Sequence, residues 1–171
     1  MLAVTAAALQ LGVRNAGADP NSVTTVSEQG TALSWSTGAD SDAPTSRSAP
    51  TVTYESVELP DGAQTLIHIN SADAPNRFEF PVALPESARL ERMDDGSVSL
   101  NVNRLPNGGF QAPWAKDAAG DEIPTRLEIE GTTLVQIVDF DENTQFPVVA
   151  DPRFDWGSSQ GMPGLIVRRL A

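Results

Sequence analysis

The chain has 171 residues, 11 basic against 23 acidic side chains for a net charge of −12, no cysteine and one histidine. Without cysteine there is no disulfide, thiolate nucleophile or thiolate metal site, and with His68 as the sole imidazole no site needs two histidines. The negative charge opposes unassisted binding to nucleic acid or to an anionic membrane, because both demand a basic face.

The length allows one domain with a sizeable core. Residues 1–12 are uncharged and rich in small apolar side chains, and Ala16-Gly17-Ala18 follows with the small-x-small spacing of a signal-peptidase site. The apolar run is shorter than the ~20 residues that a membrane anchor needs. No basic segment precedes it, and Arg14 lies after it. The expectation is an exported protein with residues 1–18 as a shortened signal peptide. Cleavage there removes Arg14 and leaves the mature chain one charge more negative.

Residues 19–50 are dominated by Ser, Thr, Ala, Asp, Gly and Pro, with Val23, Val26, Leu33 and Trp35 as exceptions. So little apolar surface does not offset the entropy of ordering the segment, which predicts a disordered arm with Trp35 as a tethered linker residue.

From Thr51 onward the patterns have period two. Val52 and Tyr54 fall on one face of a strand, and Val57 and Leu59 on the other. Pro60-Asp61-Gly62 is a turn signal, and Thr65 to Asn70 reads as the next strand. Phe78, Phe80, Val82 and Leu84 alternate cleanly around Pro81, which predicts an edge strand or a bulge because proline donates nothing to a ladder. Asp94-Asp95-Gly96 between Leu90–Met93 and Val98–Val102 predicts a hairpin. After Leu127, Ile129 and the Glu130-Gly131 turn, residues 134–138 are apolar on both faces, as a central strand should be. Phe146 to Ala150 makes a last short strand before Asp151-Pro152. The reading is all-β for residues 51–156, either a single β-sandwich-like domain or a curled antiparallel meander, with an irregular tail over 157–171.

Candidate chemistry is sparse. His68 sits within a strand, and no Gly-x-Ser-x-Gly elbow accompanies it. Asp139, Asp141, Asn143 and Gln145 have the oxygen-ligand spacing that opens an EF-hand loop, but Thr144 stands where the loop needs glycine and Ala150 where it needs a bidentate acid. An acidic turn is the simpler reading. Asp117, Asp121 and Glu122 follow Trp114 in a loop, where solvated charge is the expected state. No local pattern marks a carboxylate pair for glycoside hydrolysis, and there is no phosphate loop, dinucleotide fingerprint or metalloprotease helix. No catalytic residue, metal or cofactor is assigned.

Three segments stand out together: Phe78-Glu79-Phe80-Pro81-Val82-Ala83-Leu84-Pro85, then Ala112-Pro113-Trp114-Ala115-Lys116-Asp117-Ala118-Ala119-Gly120, then Phe146-Pro147-Val148-Val149-Ala150-Asp151-Pro152. In this order, over residues 51–156, the chain resembles a group of uncharacterised exported actinobacterial proteins. Their β-rich domain carries a Pro-Trp-Ala-x-Asp-x-x-Gly loop and a Val-Val-Ala-Asp-Pro tail. The resemblance implies secretion and a β domain and brings no activity with it. Such proteins often continue well past the tail, and residues 157–171 do not match that continuation, so a truncated or frameshifted chain is one expectation.

The functional expectation is a noncatalytic binding or structural module, secreted or at the cell envelope. Its partner would be a protein or an envelope component rather than nucleic acid, with Trp114, Trp156 and Tyr54 as candidate surface-binding residues. Two alternatives stand beside it: a carrier or pro-domain of a toxin-like or bacteriocin-like protein, and a hydrolase of unrecognised type.

Overall fold

The computed structural model describes residues 22–28, 30–37 and 50–157, and among them it has strands and turns but no helix. In chain order the strands are β1 (Ser22–Val26), β2 (Ala32–Ser36), β3 (Val52–Leu59), β4 (Gly62–Ile69), β5 (Arg77–Ala83), β6 (Ala88–Arg92) and β7 (Val98–Val102). They continue with β8 (Leu105–Phe110), β9 (Ala115–Lys116), β10 (Thr125–Glu130), β11 (Thr133–Val138), β12 (Val148–Ala150) and β13 (Arg153–Trp156). The proposed signal peptide over 1–18 and all of the tail after Gly157 lie outside the described residues.

Turn chemistry sets the hairpins. Pro60-Asp61 closes β3 onto β4, with Leu59 opposite Gly62. Asp95 accepts the main-chain N–H of Ser97 at 3.0 Å, and Gly96 takes a φ of 86° between β6 and β7. Gly131, at φ 62°, turns β10 into β11.

Alternation along each strand then buries one face, and two antiparallel sheets close over it. One has the order β1-β2-β5-β11-β10, the other β6-β7-β8-β13-β4-β12-β9 with β3 along the remaining side of β4. Among the described residues, six of the eleven strand pairings join strands that are not consecutive in sequence, and two sheets face each other, so the fold is a sandwich rather than a curled meander. Its core is aromatic across the sheets: Trp35 of β2 packs edge-on against Phe110 of β8 at 5.5 Å between ring centroids. Phe154 makes edge-to-face contacts with both Phe110, at 5.1 Å, and Trp156, at 4.9 Å.

The 19–50 arm requires correction. Within it, β1 and β2 form a hairpin that joins β5, and Leu33 and Trp35 are fully buried. Few apolar residues suffice because Val23, Leu33 and Trp35 all fall on the inward face. Two indole hydrogen bonds complete the attachment: Trp35 Nε1 donates to Thr65 Oγ1 and Trp156 Nε1 to Thr25 Oγ1, each at 2.9 Å. The rest of that stretch, 19–21, 29 and 38–49, lies outside the described residues.

Pro81 also departs from expectation, since β5 is a central strand between β2 and β11. Val82 donates its N–H toward β11, to Thr132 O at 3.0 Å, so the neighbouring Pro81 nitrogen faces β2. The ladder to β2 ends at Trp35 opposite Val82, and the missing donor is never required. By contrast β11, apolar on both faces, is central as its pattern demands.

The last two strands act as one. Val148 faces Ile69, Ala150 faces Ile67, Arg153 faces Gln64 and Asp155 faces Gly62, all in a single register along β4. Only Asp151-Pro152 interrupts it, and there Thr65 N donates to Pro152 O at 3.0 Å. The strand expected to stop at Ala150 therefore continues to Trp156.

Candidate functional site

The interruption at Asp151-Pro152 organises the surroundings of Trp114. On the far side of β12 and β13 the chain pairs twice: β8 through Phe110 opposite Phe154, and β9 through Ala115 opposite Ala150. The register slips by one residue between these pairs, so residues 111–114 bulge outward beside Asp151. Three contacts hold the bulge. Asp151 Oδ1 accepts the Trp114 N–H at 3.3 Å, the Trp114 carbonyl accepts the Asp151 N–H at 3.3 Å, and Gln136 Nε2 reaches that carbonyl at 3.5 Å from the other sheet. Thus the second and third segments of the resemblance lie side by side, joined through Asp151.

Asp151 is buried, and its second carboxylate oxygen accepts from Gln64 Nε2 at 2.6 Å. Burial pushes its carboxyl above the usual aspartate range, against the pull of the hydrogen bonds from Gln64 and Trp114. Asp117 behaves oppositely. Its Oδ1 accepts from Ala119 and Asp121 N–H groups at 2.9 and 3.0 Å, and its Oδ2 from Gln145 N–H at 3.1 Å. The Gln145 contact leads in holding its carboxyl below the usual range. The motif aspartate is therefore the fastener of the turn through Gly120 and of the neighbouring 141–145 turn.

A polar band continues along the outer face of the larger sheet. Asp155, also buried, accepts from Gln111 Nε2 at 3.0 Å and from Arg153 Nε at 3.1 Å. Asp151 and Asp155 are four residues apart on one strand, about 13 Å at the usual rise. Glycosidase carboxyl pairs stand about 5–9.5 Å apart, so this pair does not fit that chemistry. His68 lies on the same face with Nε2 3.2 Å from Glu55 Oε2. In the acidic 139–145 segment, Asp141 accepts its own Asn143 N–H at 2.8 Å and Asp139 pairs with Arg126 at 2.8 Å, so these carboxylates serve the turn and an ion pair.

The three candidate aromatics are not brought together. Trp114 is 39 % exposed and is the last residue of the bulge. Tyr54 faces inward on β3, edge-on to Phe80 at 6.3 Å, and is half-buried. Trp156 is 9 % exposed, sits in the aromatic core and is corrected from a surface residue to a structural one. What the sequence reading missed is the support: Gln64, Gln111 and Gln136 contact partners 87, 44 and 22 residues away, and no local pattern marks them. The Asp-Pro pair after an apolar run was the one available signal.

No family model, curated protein or solved structure matches the chain. Among the described residues no helix is long and apolar enough to cross a membrane.

Proposed function

We propose that the chain is an exported, noncatalytic β-sandwich that binds a cell-envelope component or an extracellular protein through the surface around Trp114. The observation that carries this reading is the exposed side chain of Trp114 on a main-chain bulge, its N–H and carbonyl bonded to Asp151 and to Gln136 of the opposite sheet. A large amphipathic ring presented on a rigid support loses little entropy on binding, which is what a recognition surface requires. Asp151 and Asp117 have structural work at main-chain atoms, consistent with a scaffold rather than an acid–base pair.

Co-sedimentation of the purified chain with isolated cell walls tests the proposal. The native chain is expected in the pellet and Trp114→Ala in the supernatant, with identical circular dichroism and thermal midpoint. Equal pelleting of both proteins contradicts it, and pelleting of neither removes the envelope component as the partner.

A further inference from the structure

Among the described residues, Arg89, Arg92, Arg104 and Lys116 have no acidic partner within ion-pair distance, whereas Arg77, Arg126 and Arg153 are all paired. Arg89 and Arg104 line the same open concavities at the β6–β7–β8 end of the larger sheet, of about 470 and 460 Å³. In a chain of net charge −12, two unpaired guanidiniums converging on one hollow is the opposite of the average surface.

The backbone points to the same place. Ser87, Asn103 and Arg104 have φ of 62°, 51° and 68° and are the non-glycine residues in the left-handed region among those described. All three border the second concavity, and the Asn103 N–H donates to Ser87 O at 3.1 Å. Asn103-Arg104 is the two-residue turn between Val102 and Leu105. Both turn positions need positive φ, and glycine is the unstrained choice for the second. Arg104 stands there instead, lining the hollow shared with Arg89. Strain of this kind concentrates where a side chain is needed for something other than the turn.

The remaining lining narrows the ligand. Glu91 and Asn101 share the wall, with Asn101 Nδ2 donating to Glu91 Oε2 at 3.0 Å. Guanidiniums receive a carboxylate in bidentate geometry. Glu91 accepts hydrogen bonds from hydroxyls and repels a second negative charge, which disfavours phosphate at its usual charge of about −1.5 to −2. Pro106 in the wall offers apolar contact to a ring face. We propose that this concavity binds the carboxylate of a sugar acid, with Arg89 and Arg104 on the carboxylate and Glu91 on ring hydroxyls. The site stands independently of the Trp114 surface, which lies at the β9 end of the sheet.

Titration of the full chain with trigalacturonate, followed by amide NMR, tests the proposal. Saturable shifts are expected over 87–92 and 101–106. Arg89→Gln and Arg104→Gly should each weaken the interaction about tenfold or more. Arg104→Gly keeps the turn, since glycine takes a φ of 68° without strain. The methyl ester of the same trisaccharide should give no saturable shift there, and inorganic phosphate should bind more weakly than the acid. Equal response to the methyl ester, tighter binding of phosphate, indifference to both substitutions, or no shift in these two segments overturns it.

Discussion

Asp151, at the break between β12 and β13, and Asp117, in the turn after β9, have surroundings that push their carboxyls in opposite directions. For Asp151 burial dominates, so the folded chain holds its proton more tightly than the unfolded chain, whose value is about 3.9. Between that value and the raised folded one the native state binds more protons, and stability falls as pH rises. Asp151→Asn removes the buried charge while its oxygen still accepts from Trp114 and its amide donates to a rotated Gln64. The expected result is a flattened fall in thermal midpoint across that window and a midpoint at neutral pH no lower than native. Asp151→Ala instead strands the Trp114 N–H and the Gln64 amide and should cost about 1–3 kcal/mol by urea denaturation. Asp117 has the reverse sign: its stabilisation is present above the unfolded value and is lost as pH falls through the depressed folded one. Asp117→Asn places an amide N–H against the Gln145 N–H and should lower the midpoint at pH 7, by an amount that shrinks as pH falls through the depressed folded value.

At the level of elements, the hairpin of β1 and β2 separates what sequence shows from what it hides. The hairpins at Asp61, Asp95 and Gly131 were legible because their turn chemistry is local, and β11 because apolar residues on both faces leave only a central position. The β1–β2 hairpin was not legible because its apolar content is low and its stability comes from docking. Trp35 enters a cage built by Phe110 and Phe154, more than 70 residues onward. Trp35→Ala should therefore cost about 3–5 kcal/mol, where a linker residue would cost nearly nothing, and urea denaturation measures the difference. The β4–β13 pairing makes a similar demand at Gly62, where a Cβ would collide with the main-chain oxygen of Phe154. Gly62→Ala should lower the thermal midpoint strongly, because the colliding atom is backbone and cannot rotate away. The Trp114 support was invisible for the same reason as the hairpin. Proline and tryptophan announced the loop, but Gln64 and Gln136 reach it from distant strands.

The whole molecule presents two unlike outer faces. On the five-stranded sheet, Arg77 pairs with Glu79 and Glu130, and Arg126 with Glu128 and Asp139. Glu79 and Glu128 stand opposite Val135 on either side, Val135 is fully buried, and the charges of that face are engaged with one another. The eight-stranded sheet carries the Asp151–Asp155 polar band, the exposed Trp114 and the unpaired Arg89 and Arg104. Under the proposal, recognition therefore falls to the larger sheet and the smaller one is left as scaffold. Of the three tryptophans, Trp35 and Trp156 are core residues and Trp114 alone is exposed, which makes fluorescence a direct reporter of that assignment. The decisive measurement is acrylamide quenching of the native chain, free and bound to isolated cell walls. The expected result is a quenchable fraction that is absent in Trp114→Phe and is lost from the native chain on binding. A quenchable fraction that persists unchanged in the bound chain would contradict the assignment of Trp114 to the contact surface.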